Sequence, residues 1–93
     1  PGQIDEHVGA RVRLRRAVLG MSQEDLSSAL GITFQQIQKY ERGHNRMSAT
    51  RLHDLSTILG VDVNYFFEDF NPDDPQRPYG FSDGANDKFS WLE

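Results

Sequence analysis

The stretch from Ser22 to Gly43, SQEDLSSALGITFQQIQKYERG, constrains the fold of this chain more than any other part of it. It contains two short segments with helical composition, and each begins with a hydroxyl residue followed three positions later by an acidic or amide residue, the pattern of a capping box. A glycine follows each segment and suits the left-handed residue that commonly ends a helix. The capping pairs are Ser22 with Asp25 and Thr33 with Gln36, and the two glycines are Gly31 and Gly43. Only two residues then separate the helices, so they must cross at a steep angle.

The second of these helices has one face suited to the core and one suited to a polar ligand. At about 100° per residue, with Ile37 at the centre of the buried side, the residues divide into two sets. The inward set is Thr33, Tyr40 and Glu41, the outward set is Gln35, Lys39 and Arg42, and Gln36 and Gln38 lie on the flanks. Gln, Lys and Arg are the side chains that pair with base edges and phosphates. A solvated helix face has the same composition, but the two capped helices and their short turn favour nucleic-acid recognition.

This stretch resembles the helix-turn-helix of the phage repressor and Cro family, also called the xenobiotic response element family of bacterial regulators. The matching positions are Ser22-Gln23, Ala29-Leu30-Gly31-Ile32 and Tyr40-Glu41-Arg42-Gly43. The resemblance covers about residues 7–68. It implies an all-α fold, a five-helix lambda-repressor-like DNA-binding domain with an irregular C-terminal tail, in which the helix beginning at Thr33 lies in the major groove.

The resemblance and the helical positions together predict two groups of DNA contacts. Those nearest the base edges are Thr33, Phe34, Gln35 and Lys39. Those expected to hold the phosphate backbone are Gln23, Gln36, Arg42, Asn45, Arg46 and Ser48. Phosphate contacts fix the position of a protein on DNA, whereas base contacts carry the sequence information.

The segment before the helix-turn-helix predicts a first helix from His7 to Leu19, ended by Gly20. Its expected inner face contains Val8, Val12, Arg16 and Leu19. The resemblance supplies a partner for the arginine on this face, because it implies an ion pair between Arg16 and Glu41. Arg15 stands where the family usually has an apolar residue, which leaves the inner face of this helix less well defined.

After the loop that contains Asn45 and Arg46, Ser48 caps a predicted fourth helix that Gly60 ends. Asp62 caps a predicted fifth helix over 63–68, and its aromatic residues are too many for a small core to hide. Because exposed apolar patches usually mark interfaces, we expect a homodimer contact here, and the resemblance implies the same. The residues concerned are Tyr65, Phe66 and Phe67. A homodimer would bind a palindromic operator.

Charge is distributed unevenly along the chain. The formal net charge is −4, which alone argues against a nucleic-acid partner. From Arg11 to Arg51, however, eight basic residues face three acidic ones, for a net of +5, while from Leu52 onward two face nine, for −7. The basic half is therefore the half expected to contact double-stranded DNA.

The chain divides into a helix-turn-helix domain over 1–70 and an acidic, proline- and aromatic-containing linker or tail over 71–93. Tyr79, Phe81, Phe89 and Trp91 could dock on a neighbour or on the domain itself, and the sequence leaves both open. This acidic, aromatic half supports an alternative function, a protein-interaction module that binds a partner as an antitoxin binds a toxin.

The sequence contains no constellation typical of an enzyme. His7, His44 and His53 lie on different elements, cysteine is absent, and there is no glycine-rich phosphate loop, so we expect no metal site and no cofactor. No apolar run is long enough to span a bilayer. We therefore expect a cytoplasmic bacterial or phage protein associated with the nucleoid and with no membrane. Because the chain begins at Pro1, we expect a trimmed form whose natural termini lie elsewhere.

Overall fold

The computed structural model describes residues 2–72, and the predictions for residues 73–93 lie outside this range. Residues 2–72 form four α-helices followed by one 3₁₀ helix, so the predicted all-α class is confirmed. The elements are α1 (Gln3–Val18), α2 (Gln23–Leu30), α3 (Phe34–Arg42), α4 (Ala49–Leu59) and the 3₁₀ helix (Val63–Phe67). The predicted fifth helix is thus a 3₁₀ helix and ends one residue earlier than expected.

The ends of α2 and α3 agree closely with the capping predictions. Ser22 Oγ accepts from the backbone of Asp25 at 2.9 Å, and the Asp25 carboxylate accepts from Ser22 N at 3.0 Å. Thr33 Oγ1 accepts from Gln36 N at 3.1 Å, although the hydrogen bonds of residues 2–72 do not include the reciprocal one, from Thr33 N to the Gln36 side chain. Gly31 ends α2 with φ of 73°. These caps fix the length of the turn between the two helices.

The first helix begins at Gln3, four residues before the predicted start at His7. Asp5 explains the extension, because its carboxylate accepts from Gly2 N at 2.8 Å and occupies the first turn, where negative charge is favourable. At the other end the helix stops at Val18, and Leu19 is 45% exposed. The prediction that Leu19 lies on the inner face is therefore wrong.

The core is one cluster to which every helix contributes. Its buried apolar side chains are Val8, Val12, Leu26, Ile37, Tyr40, Met47, Leu55, Leu59 and Phe66. The prediction that Phe66 belongs to an exposed dimer contact is wrong, because its side chain is 0% exposed. A 3₁₀ helix has three residues per turn, so three consecutive aromatic residues point in three directions and one of them faces inward. Phe67 remains 38% exposed, and Tyr65 is half-buried.

Helices α1 and α3 approach each other at a glycine. Gly9 is buried, and a Cβ there would overlap the carbonyl oxygens of Tyr40 and Glu41. The absence of a side chain lets the α1 backbone lie against the last turn of α3. This contact fixes where the exposed face of α3 points. No helix within residues 2–72 is long and apolar enough to cross a membrane.

Candidate nucleic-acid interface

Helix α3 presents a polar face to solvent opposite its buried side. Ile37 is 1% exposed, whereas Gln35, Lys39 and Arg42 are all exposed, as the helical positions predicted. Thr33 is also exposed, so the prediction that it faces inward is wrong: as the N-cap it precedes the helix and does not follow its periodicity. Phe34 is half-buried. A row of long polar side chains therefore stands on the outer surface of α3.

Three side chains from α1, α2 and α3 meet beneath one edge of this face. Arg16 contacts Glu41 through two hydrogen bonds, Nε to Oε2 at 2.7 Å and Nη2 to Oε1 at 3.0 Å. These contacts form the ion pair that the resemblance implies, and it is largely buried, because the two side chains are 15% and 3% exposed. Gln23 Nε2 donates to Glu41 Oε1 at 2.9 Å, and Arg16 Nη1 donates to the carbonyl of Met21 at 2.9 Å. Glu41 thus ties the start of α2 to the end of α3.

Above this network lies an open groove of about 550 Å³, which we call the α2 groove. Arg16 and Glu41 form part of its lining. Its remaining walls include Arg13, Ser22, Gln23, Phe34, Gln38 and Arg42. Asp25 at the neighbouring helix end has a lowered pKa, because the Ser22 backbone N–H and hydroxyl hydrogen bond to its carboxylate. The groove combines the amino end of α2 with two exposed guanidinium groups.

On the other side of α3 a second depression, the loop groove, is lined by Gln36, His44, Asn45 and Arg46. Arg46 makes two hydrogen bonds to Asp5, from Nε to Oδ1 and from Nη2 to Oδ2, both at 3.1 Å. Its side chain is 70% exposed while that of Asp5 is 7% exposed, so the guanidinium covers a buried carboxylate and still faces solvent. Sequence reasoning missed Asp5, because nothing local marks a contact across 41 positions.

This contact also explains two pKa shifts. The Arg46 guanidinium, followed by the Gly2 backbone N–H, holds the pKa of Asp5 below its ordinary value. The same carboxylate raises the pKa of Arg46. Ser48, the remaining residue predicted on this side, uses its hydroxyl to accept from Arg51 N at 3.1 Å and so caps α4.

The basic residues of 2–72 divide into those held by the fold and those that are not. Arg11, Arg16 and Arg46 form salt bridges, and Arg15 donates to the carbonyl of Leu59 at 2.8 Å, at the carboxyl end of α4. Within residues 2–72 the Arg and Lys side chains that form neither a salt bridge nor a hydrogen bond are Arg13, Lys39, Arg42 and Arg51. Two of these, Lys39 and Arg42, belong to the outer face of α3, and Arg13 lies beside it on the α2 groove.

A further cluster, which sequence reasoning did not assign, fastens the end of the described chain to α1. Arg11 donates to the carbonyl of Tyr65 at 2.9 Å and to Glu68 Oε1 at 2.9 Å, and its guanidinium lies 3.9 Å from the centre of the Tyr65 ring. His7 Nε2 lies 2.7 Å from the Glu68 carbonyl oxygen, and the His7 ring meets that of Phe70 edge-on. Burial lowers the pKa of His7. These contacts join α1 to the end of the described chain.

No group of three or more His, Cys, Asp or Glu side chains within residues 2–72 is arranged to hold a metal ion. The interface described above consists of basic and amide groups around α3, which can donate hydrogen bonds to phosphates and to base edges.

Comparison with known proteins identifies the family. Residues 12–66 match the model of a helix-turn-helix family. A protein named as an uncharacterized HTH-type transcriptional regulator of Sinorhizobium medicae (strain WSM419) is 53% identical over 89 residues, which cover 96% of this chain and 64% of the relative. A Rhodospirillum rubrum protein, named as an uncharacterized transcriptional regulator in the ATPase CF(0) region, is 53% identical over 74 residues, or 80% of this chain and 68% of the relative.

A more distant relative is a Rickettsia prowazekii (strain Madrid E) protein that is also named as an HTH-type transcriptional regulator, 33% identical over 76 residues. The chain spans a little under two thirds of the length of the Sinorhizobium medicae relative. The family model, the relatives and the capped helix pair all indicate the same family. The chain belongs to the helix-turn-helix family of transcriptional regulators, which is not a family of enzymes.

Proposed function

We propose that this chain binds double-stranded DNA sequence-specifically, as a homodimer on a palindromic operator, with α3 in the major groove, and that it represses transcription at the nucleoid. The observation that carries the proposal is the division of α3, in which Ile37 is anchored in the core while Gln35, Lys39 and Arg42 stand exposed on the far side. A helix held this way can enter the major groove without losing its own packing.

The base-reading set is Thr33, Phe34, Gln35 and Lys39, at the amino end and outer face of α3. A glutamine amide matches the donor and acceptor of adenine, and a lysine ammonium matches the acceptors of guanine. The Phe34 ring suits an apolar contact with a thymine methyl group. These contacts would be the source of sequence preference.

The backbone-binding set flanks α3 on both sides. Gln23 and Arg42 line the α2 groove, whereas Gln36, Asn45 and Arg46 line the loop groove and Ser48 follows it. Gln23 uses one amide hydrogen on Glu41, which orients the side chain and leaves its second amide hydrogen for a phosphate. Contacts on both sides would straddle the groove that α3 enters.

Phe67 and the edge of Tyr65 are the apolar surface that we propose for the homodimer, with Phe66 removed from that set because it is buried. In a homodimer that binds a palindromic operator, the two copies of α3 would lie about one helical turn of DNA apart, roughly ten base pairs. Repression requires only that the operator be occupied, so it is the form of regulation that such a domain can supply by itself.

The test is a selection of bound sequences from a random double-stranded DNA pool, followed by quantitative mobility shifts with competitor DNA. Selected sequences should contain two symmetric half-sites with centres about ten base pairs apart. Gln35→Ala and Lys39→Ala should each weaken binding by about 1–3 kcal/mol and relax preference at particular positions.

The matched variant is Arg42→Ala, which should weaken all sequences alike and reduce the salt dependence by about one phosphate contact. It is a cleaner choice than Arg46→Ala, because removal of Arg46 also leaves the Asp5 carboxylate without its partner. Identical sequence profiles for Lys39→Ala and Arg42→Ala would contradict the division into base-reading and backbone residues. Absence of any competitor-resistant complex would reject the DNA-binding function and favour a protein partner.

A further inference from the structure

Arg11 is a buried arginine that the proposed DNA contacts do not use. Its side chain on α1 is 6% exposed, and its guanidinium contacts the last element of the described chain. Nε donates to the carbonyl of Tyr65 at 2.9 Å, and Nη2 donates to Glu68 Oε1 at 2.9 Å. The guanidinium also lies 3.9 Å from the centre of the Tyr65 ring, a cation–π contact. We call the group formed by Arg11, Tyr65 and Glu68 the clasp, because it fastens the 3₁₀ helix to α1.

The 3₁₀ helix depends on support from outside itself. It is five residues long, more than most helices of this type, whose hydrogen bonds have poor geometry. Its last backbone hydrogen bond, from Glu68 N to the Tyr65 carbonyl, is 3.4 Å long, whereas Arg11 reaches the same carbonyl at 2.9 Å. Phe66 holds the inward side of the helix, since it is fully buried. The helix is therefore held by the core on one side and by Arg11 on another.

The clasp also fixes the orientation of the Tyr65 ring. The Arg11 guanidinium lies over its face, and the Phe66 ring meets it edge-on, with centres 5.8 Å apart and planes at 84°. Both of these neighbours are buried, so the ring is confined between α1 and the core. Its remaining edge and the exposed ring of Phe67 are the apolar surface proposed for the homodimer. The shape of that surface is thus set within one copy of the chain.

We propose that Arg11 is a positioning residue for the homodimer, which holds Tyr65 and Phe67 in the arrangement that a second copy binds. This inference rests on the proposed function. A surface that is ordered before association loses less entropy on binding than one that the partner must order. The same helix, α1, contacts α3 through Gly9 and Arg16, so it joins the dimer surface to the recognition helix. Loss of the clasp should weaken binding to an operator with two half-sites and spare binding to one half-site.

The experiment uses the full chain and measures the Kd of the dimer by sedimentation equilibrium. Fluorescence anisotropy then measures binding to the selected operator and to a single half-site. Arg11→Met keeps an apolar side chain of similar length and removes the donors, so it should raise the dimer Kd about tenfold, because each copy must then order Tyr65 on association. Affinity for the operator should fall by a similar factor, and single half-site binding should match the wild type. Phe67→Ser, which removes a ring from the contact itself, should raise the dimer Kd at least as much.

Glu68→Ala is the matched variant, because it removes the opposite charge of the clasp. Arg11→Met makes the net charge more negative and Glu68→Ala makes it less negative, so a general electrostatic effect on DNA binding would have opposite signs in the two variants. Loss of the clasp instead weakens the dimer in both. The effect of Glu68→Ala should be the smaller, since it leaves the hydrogen bond from Arg11 to the Tyr65 carbonyl in place. If Arg11→Met does not fold, Glu68→Ala decides alone.

Leu26→Val controls for a loss of stability, because Leu26 is a fully buried core residue of α2. At a temperature where circular dichroism shows every variant folded, its dimer Kd should match the wild type. If Arg11→Met and Glu68→Ala keep the wild-type dimer Kd, or if Leu26→Val raises it equally, the inference is overturned and the proposed function stands. If the wild type is a monomer, or if Phe67→Ser leaves the dimer intact, the proposed dimer surface is wrong and the inference is overturned with it.

Discussion

The two sides of α3 are held by ion pairs of different character. On the α2 side, Arg16 and Glu41 are 15% and 3% exposed, so both charges are largely withdrawn from water. On the loop side, Asp5 is 7% exposed but Arg46 is 70% exposed, so only the carboxylate is withdrawn. The buried pair can serve the fold alone, whereas the half-exposed pair leaves its cation facing the surface where DNA is proposed to lie.

The difference indicates how each side provides positive charge. On the α2 side the guanidinium of Arg16 is paired with Glu41, and two exposed arginines, Arg13 and Arg42, supply the positive charge. On the loop side one arginine, Arg46, both supports the fold and faces solvent. The α2 side should therefore be sensitive in stability to loss of its ion pair, and the loop side much less so.

The largest expected effect is the removal of Glu41. Glu41→Ala leaves the Arg16 guanidinium and the Gln23 amide without their acceptor in a largely buried site, so the free energy of unfolding should fall by about 3–5 kcal/mol. Urea denaturation followed by circular dichroism measures this loss.

Its control is the double variant Arg16→Met with Glu41→Leu. Because replacing both members of a buried pair by apolar residues is often nearly neutral, the double variant should be more stable than Glu41→Ala alone. A loss below about 0.5 kcal/mol for Glu41→Ala, the scale of an ordinary surface substitution, would show that the two sides do not differ as described.

Gly9→Ala should have the next largest effect. Its Cβ would lie 2.7 Å from the Glu41 carbonyl oxygen and overlap that of Tyr40, so α1 and α3 must separate. We expect the free energy of unfolding to fall by about 1–3 kcal/mol, by analogy with overpacked cores. Thermal or urea denaturation measures the change.

Gly2→Ala is the matched control, since nothing lies within 4 Å of the added methyl group. Its effect should be the smaller one, about 1 kcal/mol, the typical cost of placing Ala at an N-cap. Gly→Ala in a free helix interior stabilises by roughly 0.5–1 kcal/mol, so a Gly9→Ala variant more stable than the wild type would contradict the close approach.

The contacts on the two sides of α3 could not be predicted equally well from the sequence, and the reason is the separation of the interacting residues along the chain. The caps at Ser22 and Thr33 and the exposed residues of α3 follow from local rules, in which the interacting residues are three or four positions apart. The Arg16–Glu41 pair, 25 positions apart, was predicted through the family resemblance. Neither a local rule nor the family resemblance predicted the contact between Asp5 and Arg46.

The same reasoning explains the errors in the predicted elements. The periodicity of α1 is recognisable only where its apolar residues begin, so the polar first turn that Asp5 stabilises was assigned to the preceding chain. Tyr65, Phe66 and Phe67 were all predicted as an exposed contact because no sequence pattern shows which of three successive aromatic residues faces inward. The geometry of the 3₁₀ helix turns Phe66 into the core and leaves Phe67 outside.

The smallest expected effect concerns the loop side, and it can be isolated because the chain contains a matched pair of carboxylates. Asp5 and Asp25 each occupy the third position of a helix and accept from the backbone N–H of the cap, Gly2 at 2.8 Å and Ser22 at 3.0 Å. Of these two carboxylates, only that of Asp5 also accepts a hydrogen bond from an arginine, Arg46. Asp5→Asn should therefore reduce stability at neutral pH by more than Asp25→Asn does.

Acid should abolish the difference in stability between the wild type and Asp5→Asn. The pKa of Asp5 is lowered in the folded state, chiefly by Arg46, so its carboxylate stabilises the fold above the ordinary pKa of 3.8 and loses that contribution as pH falls through the lowered value. Stability measured by urea denaturation from pH 7 downward should bring the wild type and Asp5→Asn together only below pH 3.8. Equal losses for Asp5→Asn and Asp25→Asn at neutral pH would mean that Arg46 adds nothing to the cap, so that its guanidinium serves the DNA surface alone.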